Sequence, residues 1–138
     1  MEDIKEKHSG FKVESILLTE SSFNRKGKIN FKESEQEVSF ETGIGSKDNI
    51  VNVKLTTIVS NKFHDVEQYK IAVTMVGVFQ RTGDYILNNE QFVRINGAAI
   101  IFPFIREHIA NIALKAGLGS LILPPVNFTK VNSKSNNQ

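Results

Sequence analysis

Ile95-Asn-Gly-Ala-Ala-Ile-Ile-Phe-Pro-Phe-Ile-Arg-Glu-His-Ile-Ala-Asn-Ile-Ala-Leu-Lys-Ala-Gly-Leu-Gly-Ser-Leu-Ile-Leu-Pro-Pro-Val-Asn-Phe128 is the stretch that decides the fold. It reads as a helix with a proline inside it, a glycine stop, and an apolar segment closed by a double proline. An interior proline removes one helical hydrogen bond and costs about 3 kcal/mol unless packing compensates. Pro103 stands amid Ile100, Ile101, Phe102, Phe104 and Ile105, so it is expected to be packed. Asn88 or Asn89 is the candidate N-cap, and Gly117 the C-terminal stop after about Lys115. Such a helix spans roughly 40 Å. Asn96-Gly97 is expected to loosen it and Pro103 to bend it. Downstream of Gly97 the apolar residues run almost all round, the pattern of a helix buried on several sides. That points to a second subunit.

Upstream, the chain reads as strands. Phe11 to Phe23 holds no glycine or proline and suits one long strand. Residues 24–28 form a basic loop, and residues 29–41 a second extended piece with Phe31, Val38 and Phe40 widely spaced. Thr42 to Asn49 reads as a turn. Val51 to Val59 alternates with the period of a half-buried strand. Asn61 to Asp65 reads as a loop. In the fourth strand, Val66 to about Phe79, Ile71, Val73, Met75 and Phe79 form one face, while Ala72, Thr74, Val76 and Val78 form another that is also nearly apolar. A strand with one wet face should alternate cleanly, so both faces are expected to be covered. Arg81 to Asp84 reads as a turn. The order gives an α+β fold: a four-stranded antiparallel sheet, read as a meander, with one long kinked helix on one face, oligomerising through sheet and helix. Residues 1–10 read as a disordered N-terminus, 11–131 as the folded domain and 132–138 as a disordered tail.

Composition narrows the function. The 138 residues suffice for a single domain with a real core. A net charge of +2 is too small to argue for nucleic acid. With no cysteine there is no disulfide framework, thiolate zinc site or thiol nucleophile. The charged N-terminus lacks the apolar core of a signal peptide, and no apolar run reaches the roughly 18 residues of a membrane span. A cytoplasmic protein without membrane or nucleic-acid partners is expected. His8, His64 and His108 have no metal-ligand spacing. Gly117-Leu-Gly-Ser120 follows a helix instead of opening one, so it is no phosphate loop, and Lys47-Asp-Asn49 lacks the oxygen ligands of a calcium loop. No catalytic residue, metal or cofactor is expected. Ten phenylalanines dominate the aromatics. Phe23, Phe31 and Phe40 either cap the core or line an exposed apolar groove of the kind that binds partners. Arg25, Lys26, Lys28 and Lys32 are either a solvated loop or, beside a groove, a bias toward acidic or low-specificity polypeptide partners.

Phe102-Pro-Phe-Ile-Arg-Glu107, followed by Gly117-Leu-Gly-Ser-Leu-Ile-Leu-Pro-Pro-Val-Asn-Phe128, resembles the paired Phe-Pro and Pro-Val-Asn-Phe motifs of the SecB export chaperones. Ile16 to Phe23 resembles the family's first strand and Ile71 to Phe79 its fourth, so the resemblance spans about Phe11 to Val131. It implies an ATP-independent holdase that binds unfolded polypeptides in an apolar groove and assembles as a dimer of dimers. Phe23, Phe31, Val38, Phe40, Leu121 and Leu123 would bind clients. Ala72, Thr74, Val76, Ile101 and Ile105 would form oligomer contacts. Of the carboxylates with which the family docks a secretion motor, Glu20 is present, while Asn24 and Ala72 stand at the other two positions. The helix that follows Pro-Val-Asn-Phe in the family is expected to be missing or vestigial, because residues 129–138 hold almost no apolar side chains. Those departures leave open a dedicated chaperone of one partner, such as an antitoxin, that does not dock on the motor.

Overall fold

The computed structural model describes residues 11–81 and 90–131. The proposed caps Asn88 and Asn89, the turn beyond Arg81, and both segments read as disordered lie outside them. Among the described residues, four antiparallel strands, β1 (Phe11–Arg25), β2 (Glu35–Lys47), β3 (Ile50–Phe63) and β4 (Val66–Arg81), precede one helix, α1 (Glu90–Lys115), and a short 3₁₀ turn, Phe128–Lys130. The expected α+β layout is present.

The strand order is β1-β4-β3-β2. Only β2, β3 and β4 form the expected meander. β1 lies beside β4, which makes the sheet a Greek key read in reverse. The strands are also longer than their patterning predicts. The segment read as a turn over residues 42–49 is mostly β2, with the reversal confined to Asp48 and Asn49. The loop read over residues 61–65 shrinks to His64 and Asp65, whose φ of 53° and 63° suit a two-residue hairpin turn. Thr42-Gly-Ile-Gly45 and Asn61 carry turn-forming residues, but ladder bonds to the neighbouring strand outweigh local preference.

Register sets the faces. On one side of the sheet stand Val51, Val53, Leu55 and Val59 of β3 and Ile71, Val73 and Phe79 of β4, all buried. α1 lies on them through Val93, Ala98, Ile101, Phe102, Ile105, Ile109 and Ala113. By length and composition this helix could span a membrane, but here it is the core helix of the domain. Pro103 is exposed, contrary to expectation, and lies on the side of α1 away from the core. Gly97 does not loosen the helix. A Cβ there would lie 2.7 Å from Val53 Cγ2, so the missing side chain is what lets α1 approach β3.

The helix ends as its glycine predicts. Gly117 has φ +72°, the Gly117 N–H donates to Leu114 O, and the Leu118 N–H donates to Ala113 O. This is the pair of bonds of a Schellman cap, and Leu118 is buried beside it. Arg25, at the end of β1, donates to the free carbonyl of Ala116 and to the carbonyls of Lys26 and Gly27. A cation at this end also offsets the helix dipole.

Candidate functional site

Val38, Val59, Ile71 and Phe23 form one row across the helix side of the sheet, in the order β2, β3, β4, β1. The two inner residues are fully buried, whereas Phe23 and Val38 at the ends are 38% and 36% exposed. They lie three strand spacings apart, about 14 Å. The next row toward the end of the sheet is polar: Arg25, Tyr69, Asn61 and Gln36. Here Tyr69 Oη donates to Gln36 Oε1 at 2.6 Å, and burial raises the Tyr69 pKa above its ordinary value of 10.0.

The segment joining β1 to β2, residues 26–34, crosses this end. A β-bulge places Gln68 as an extra residue in β4 and turns its side chain inward. Gln68 Nε2 donates to Asn30 O at 2.9 Å and to Asn61 Oδ1 at 2.7 Å, and Gln68 Oε1 accepts from the Asn30 N–H at 2.7 Å. Asn61 Nδ2 donates to Ser34 Oγ at 3.2 Å. Ile29 packs on the core. Between these anchors Phe31 is 56% exposed. Phe23, Phe31 and Val38 therefore all stand, partly exposed, at one end of the sheet.

The other residues expected at the client site are placed differently. Phe40, Phe102 and Phe128 form a triangle of edge-to-face rings, each pair 5.7 Å between centroids. Arg106 lies over Phe102. Asn127 Oδ1 caps the 3₁₀ turn by accepting from the Thr129 N–H, which seats Phe128. Phe40 is thus a half-buried wall covered by the chain's own terminal segment. Leu123 is only 2% exposed and belongs to the core, so its assignment to client binding is corrected; Leu121 is partly buried against the core. Ile122 between them is 72% exposed. Alternation in the extended segment is the signal that would have found it.

Of an apolar strip on β1, sequence reasoning found only Phe23. Val13, Leu18 and Phe23 all face the helix side, and all are exposed. Their spacing of five residues fits no strand period. Two bulges, between Val13 and Ser15 and between Leu18 and Glu20, each insert a residue and restore the face. Opposite them on α1, His108 Nε2 lies 2.9 Å from Ser21 Oγ, and exposed Phe104 is one turn away on the same row of the helix.

The expected oligomer contacts divide. Ile101 and Ile105 are wholly buried against the chain's own sheet, so their assignment to a subunit interface is corrected. Ala72, Thr74 and Val76 lie on the sheet face away from the helix. Thr74 is itself buried, its hydroxyl 2.8 Å from that of Thr56, which leaves Ala72 and Val76 with surface to offer. Glu20 shares that face, in register with Thr74, and Asn24 is in register with Lys70. No cluster of histidine and carboxylate side chains suited to a metal occurs among the described residues.

The sequence matches the family described as preprotein translocase subunit SecB over residues 5–138. The chain belongs to the SecB family. It is 30% identical over 133 residues to the protein-export protein SecB of Hahella chejuensis, covering 91% of this chain and 82% of that one. It is 27% identical over 138 residues to SecB of Nitrosococcus oceani, covering 93% and 82%. The fold is similar to that of the SecB-like chaperone of Mycobacterium tuberculosis, solved in complex with a ChAD peptide from the HigA1 antitoxin. The TM-score is 0.74 with 11% identity, covering 84% of this chain and 90% of that one. SecB proteins are chaperones, and the Pro-Val-Asn-Phe and Phe-Pro segments of this member meet physically in the Phe40, Phe102 and Phe128 triangle.

Proposed function

We propose that this SecB protein is an ATP-independent holdase that binds unfolded or partly folded polypeptides at the end of the sheet crossed by residues 26–34. The observation that supports it is the exposure of Phe31, Phe23 and Val38 on a segment and strands held by hydrogen bonds from the buried Gln68. Large apolar side chains kept exposed on a fixed frame are what a binding surface for apolar segments requires. Binding by burial of apolar area, at about 25 cal/mol per Å², is tolerant of sequence and needs no nucleotide or other cofactor. The site of action is the cytoplasm. The test is suppression of aggregation of a chemically denatured client by the purified protein. Lack of suppression at molar excess refutes the reading.

The subunits are proposed to assemble as a dimer of dimers. β1 is a 15-residue edge strand carrying exposed Val13, Leu17 and Leu18, an arrangement that invites pairing or cover. Phe104 and Leu114 on α1 add apolar surface, and Ala72 and Val76 do so on the far face. Light scattering that gives a monomer refutes this assembly.

A second reading, a chaperone dedicated to one partner such as an antitoxin, is favoured by the far face of the sheet. Glu20, Asn24 and Ala72 lie on that one face, yet only Glu20 is a carboxylate, and Lys70 is in register with Asn24. That charge pattern gives a motor that docks on carboxylates little to hold. Recovery of a single copurifying polypeptide, in place of many, would decide for it.

A further inference from the structure

We propose that residues 26–34 form a pre-set clamp that selects an apolar client side chain flanked by carboxylates, with Gln68 as the residue that positions it. The proposal rests on the holdase reading and names the chemistry of the client. Gln68 is 6% exposed, and its amide holds Asn30 through both the N–H and the carbonyl, as a neighbouring strand would. Asn30 Oδ1 in turn accepts from the Lys32 N–H at 3.0 Å. Ser34 Oγ accepts from Asn61 and donates to Phe31 O at 3.4 Å. The backbone on both sides of Phe31 is therefore fixed before a client arrives, and little ordering cost remains to be met on binding.

The charge around Phe31 is one-sided. Arg25 is engaged by three backbone carbonyls. Within residues 26–34, Lys26, Lys28 and Lys32 remain exposed, against the single carboxylate of Glu33. The glutamates that follow, Glu35, Glu37 and Glu41, are in register with Lys62, Ser60 and Thr56 on the face away from the helix. Val38, between them, turns to the helix side. The strand's alternation thus turns its carboxylates to the far face, while Lys26, Lys28 and Lys32, all exposed, lie within five residues of Phe31 along the chain. A client with aspartate or glutamate beside its apolar residue gains charge complementarity, and one with lysine or arginine meets repulsion.

The test uses the full-length protein and two dye-labelled peptides with the same apolar centre, one flanked by aspartates and the other by lysines. The aspartate peptide should bind about tenfold tighter at low salt, with the ratio shrinking as exposed charges are screened at about 0.3 M. Lys28→Glu with Lys32→Glu should invert the preference. Gln68→Ala should weaken both peptides about fivefold, and adding Phe31→Ala should cost little more, because the two act as one unit. Gln68→Glu keeps the acceptor for the Asn30 N–H but sets a carboxylate oxygen against two acceptors, Asn30 O and Asn61 Oδ1, so it should weaken binding at least as much as Gln68→Ala. Thermal unfolding checks that each variant is folded. Equal affinity of wild type for both peptides overturns the charge selection. Additive effects of Gln68→Ala and Phe31→Ala overturn the positioning role. Failure of both peptides to bind overturns the holdase reading instead.

Discussion

Gly97 and Val53 meet where α1 crosses β3, and the contact leaves no room for a methyl group. A Cβ on Gly97 would lie 2.7 Å from Cγ2 and 3.0 Å from Cβ of Val53, both on a strand that cannot easily yield. Gly97→Ala should therefore destabilise the protein by about 1–3 kcal/mol, despite alanine's better helix propensity. Val53→Ala in the Gly97→Ala background should recover part of the loss. Urea unfolding of the two single variants and the double variant measures both effects.

Phe31 and Phe40 should separate binding from stability. Phe31→Ala removes an exposed ring and should lower client holding severalfold while leaving unfolding within about 0.5 kcal/mol of wild type. Phe40→Ala opens the triangle with Phe102 and Phe128 and should cost about 2–4 kcal/mol. Aggregation suppression and chemical unfolding, run on both variants, check the contrast.

Thr57 is fully buried beneath the helix, and its hydroxyl has no hydrogen-bond partner among the described residues. Thr57→Val keeps the shape and removes the unsatisfied group. It should stabilise the protein by about 1 kcal/mol, read as a raised midpoint of urea unfolding with an unchanged slope.

Arg25 joins the end of β1 to the end of α1 by donating to Ala116 O. Arg25→Ala should destabilise the protein by about 1–2 kcal/mol through loss of a charged hydrogen bond and of the dipole contact. Arg25→Lys should recover little, because an ammonium cannot reproduce the planar fork that also reaches Lys26 and Gly27. Hydrogen exchange in the last turn of α1 should quicken in both variants.

Tyr69 gives a pH dependence of defined sign. Burial raises its pKa above 10.0, so the folded state favours the neutral phenol that donates to Gln36. Its contribution is full below the ordinary tyrosine value of about 10 and is lost as pH rises through the folded value. Tyr69→Phe should be less stable than wild type at neutral pH, and the gap should narrow above about pH 10. Paired urea titrations across that range provide the measurement. A gap that stays constant would refute the linkage.

The legible parts of the sequence were those in which local chemistry and packing agree. Gly117 closes α1 because a glycine at positive φ allows the Schellman bonds. The alternation from Val51 to Val59 is the buried face of β3. The hairpin ends were read as broader turns because Gly43, Gly45 and Asn61 suit turns locally, while ladder bonds decide otherwise. Phe23, Phe31 and Val38 stand out as large apolar residues in weakly patterned segments, and the structure leaves all three partly exposed. Leu123, Ile101 and Ile105 were misassigned because an apolar residue looks the same in a sequence whether its own chain or another molecule covers it. Val13 and Leu18 escaped notice because bulges break the period on which the reading relied.

By itself the sequence determined the type and order of the strands and helix among the described residues, the end of the helix and the family motifs, since these depend on residues near one another along the chain. The tertiary structure alone decided that β1 joins β4, that Phe128 returns to cover Phe40, and that Gln68 holds Asn30. Each of these depends on groups far apart in sequence. Which distant groups meet is set by strand register and by how closely the helix can approach, and neither is written in any single stretch of residues.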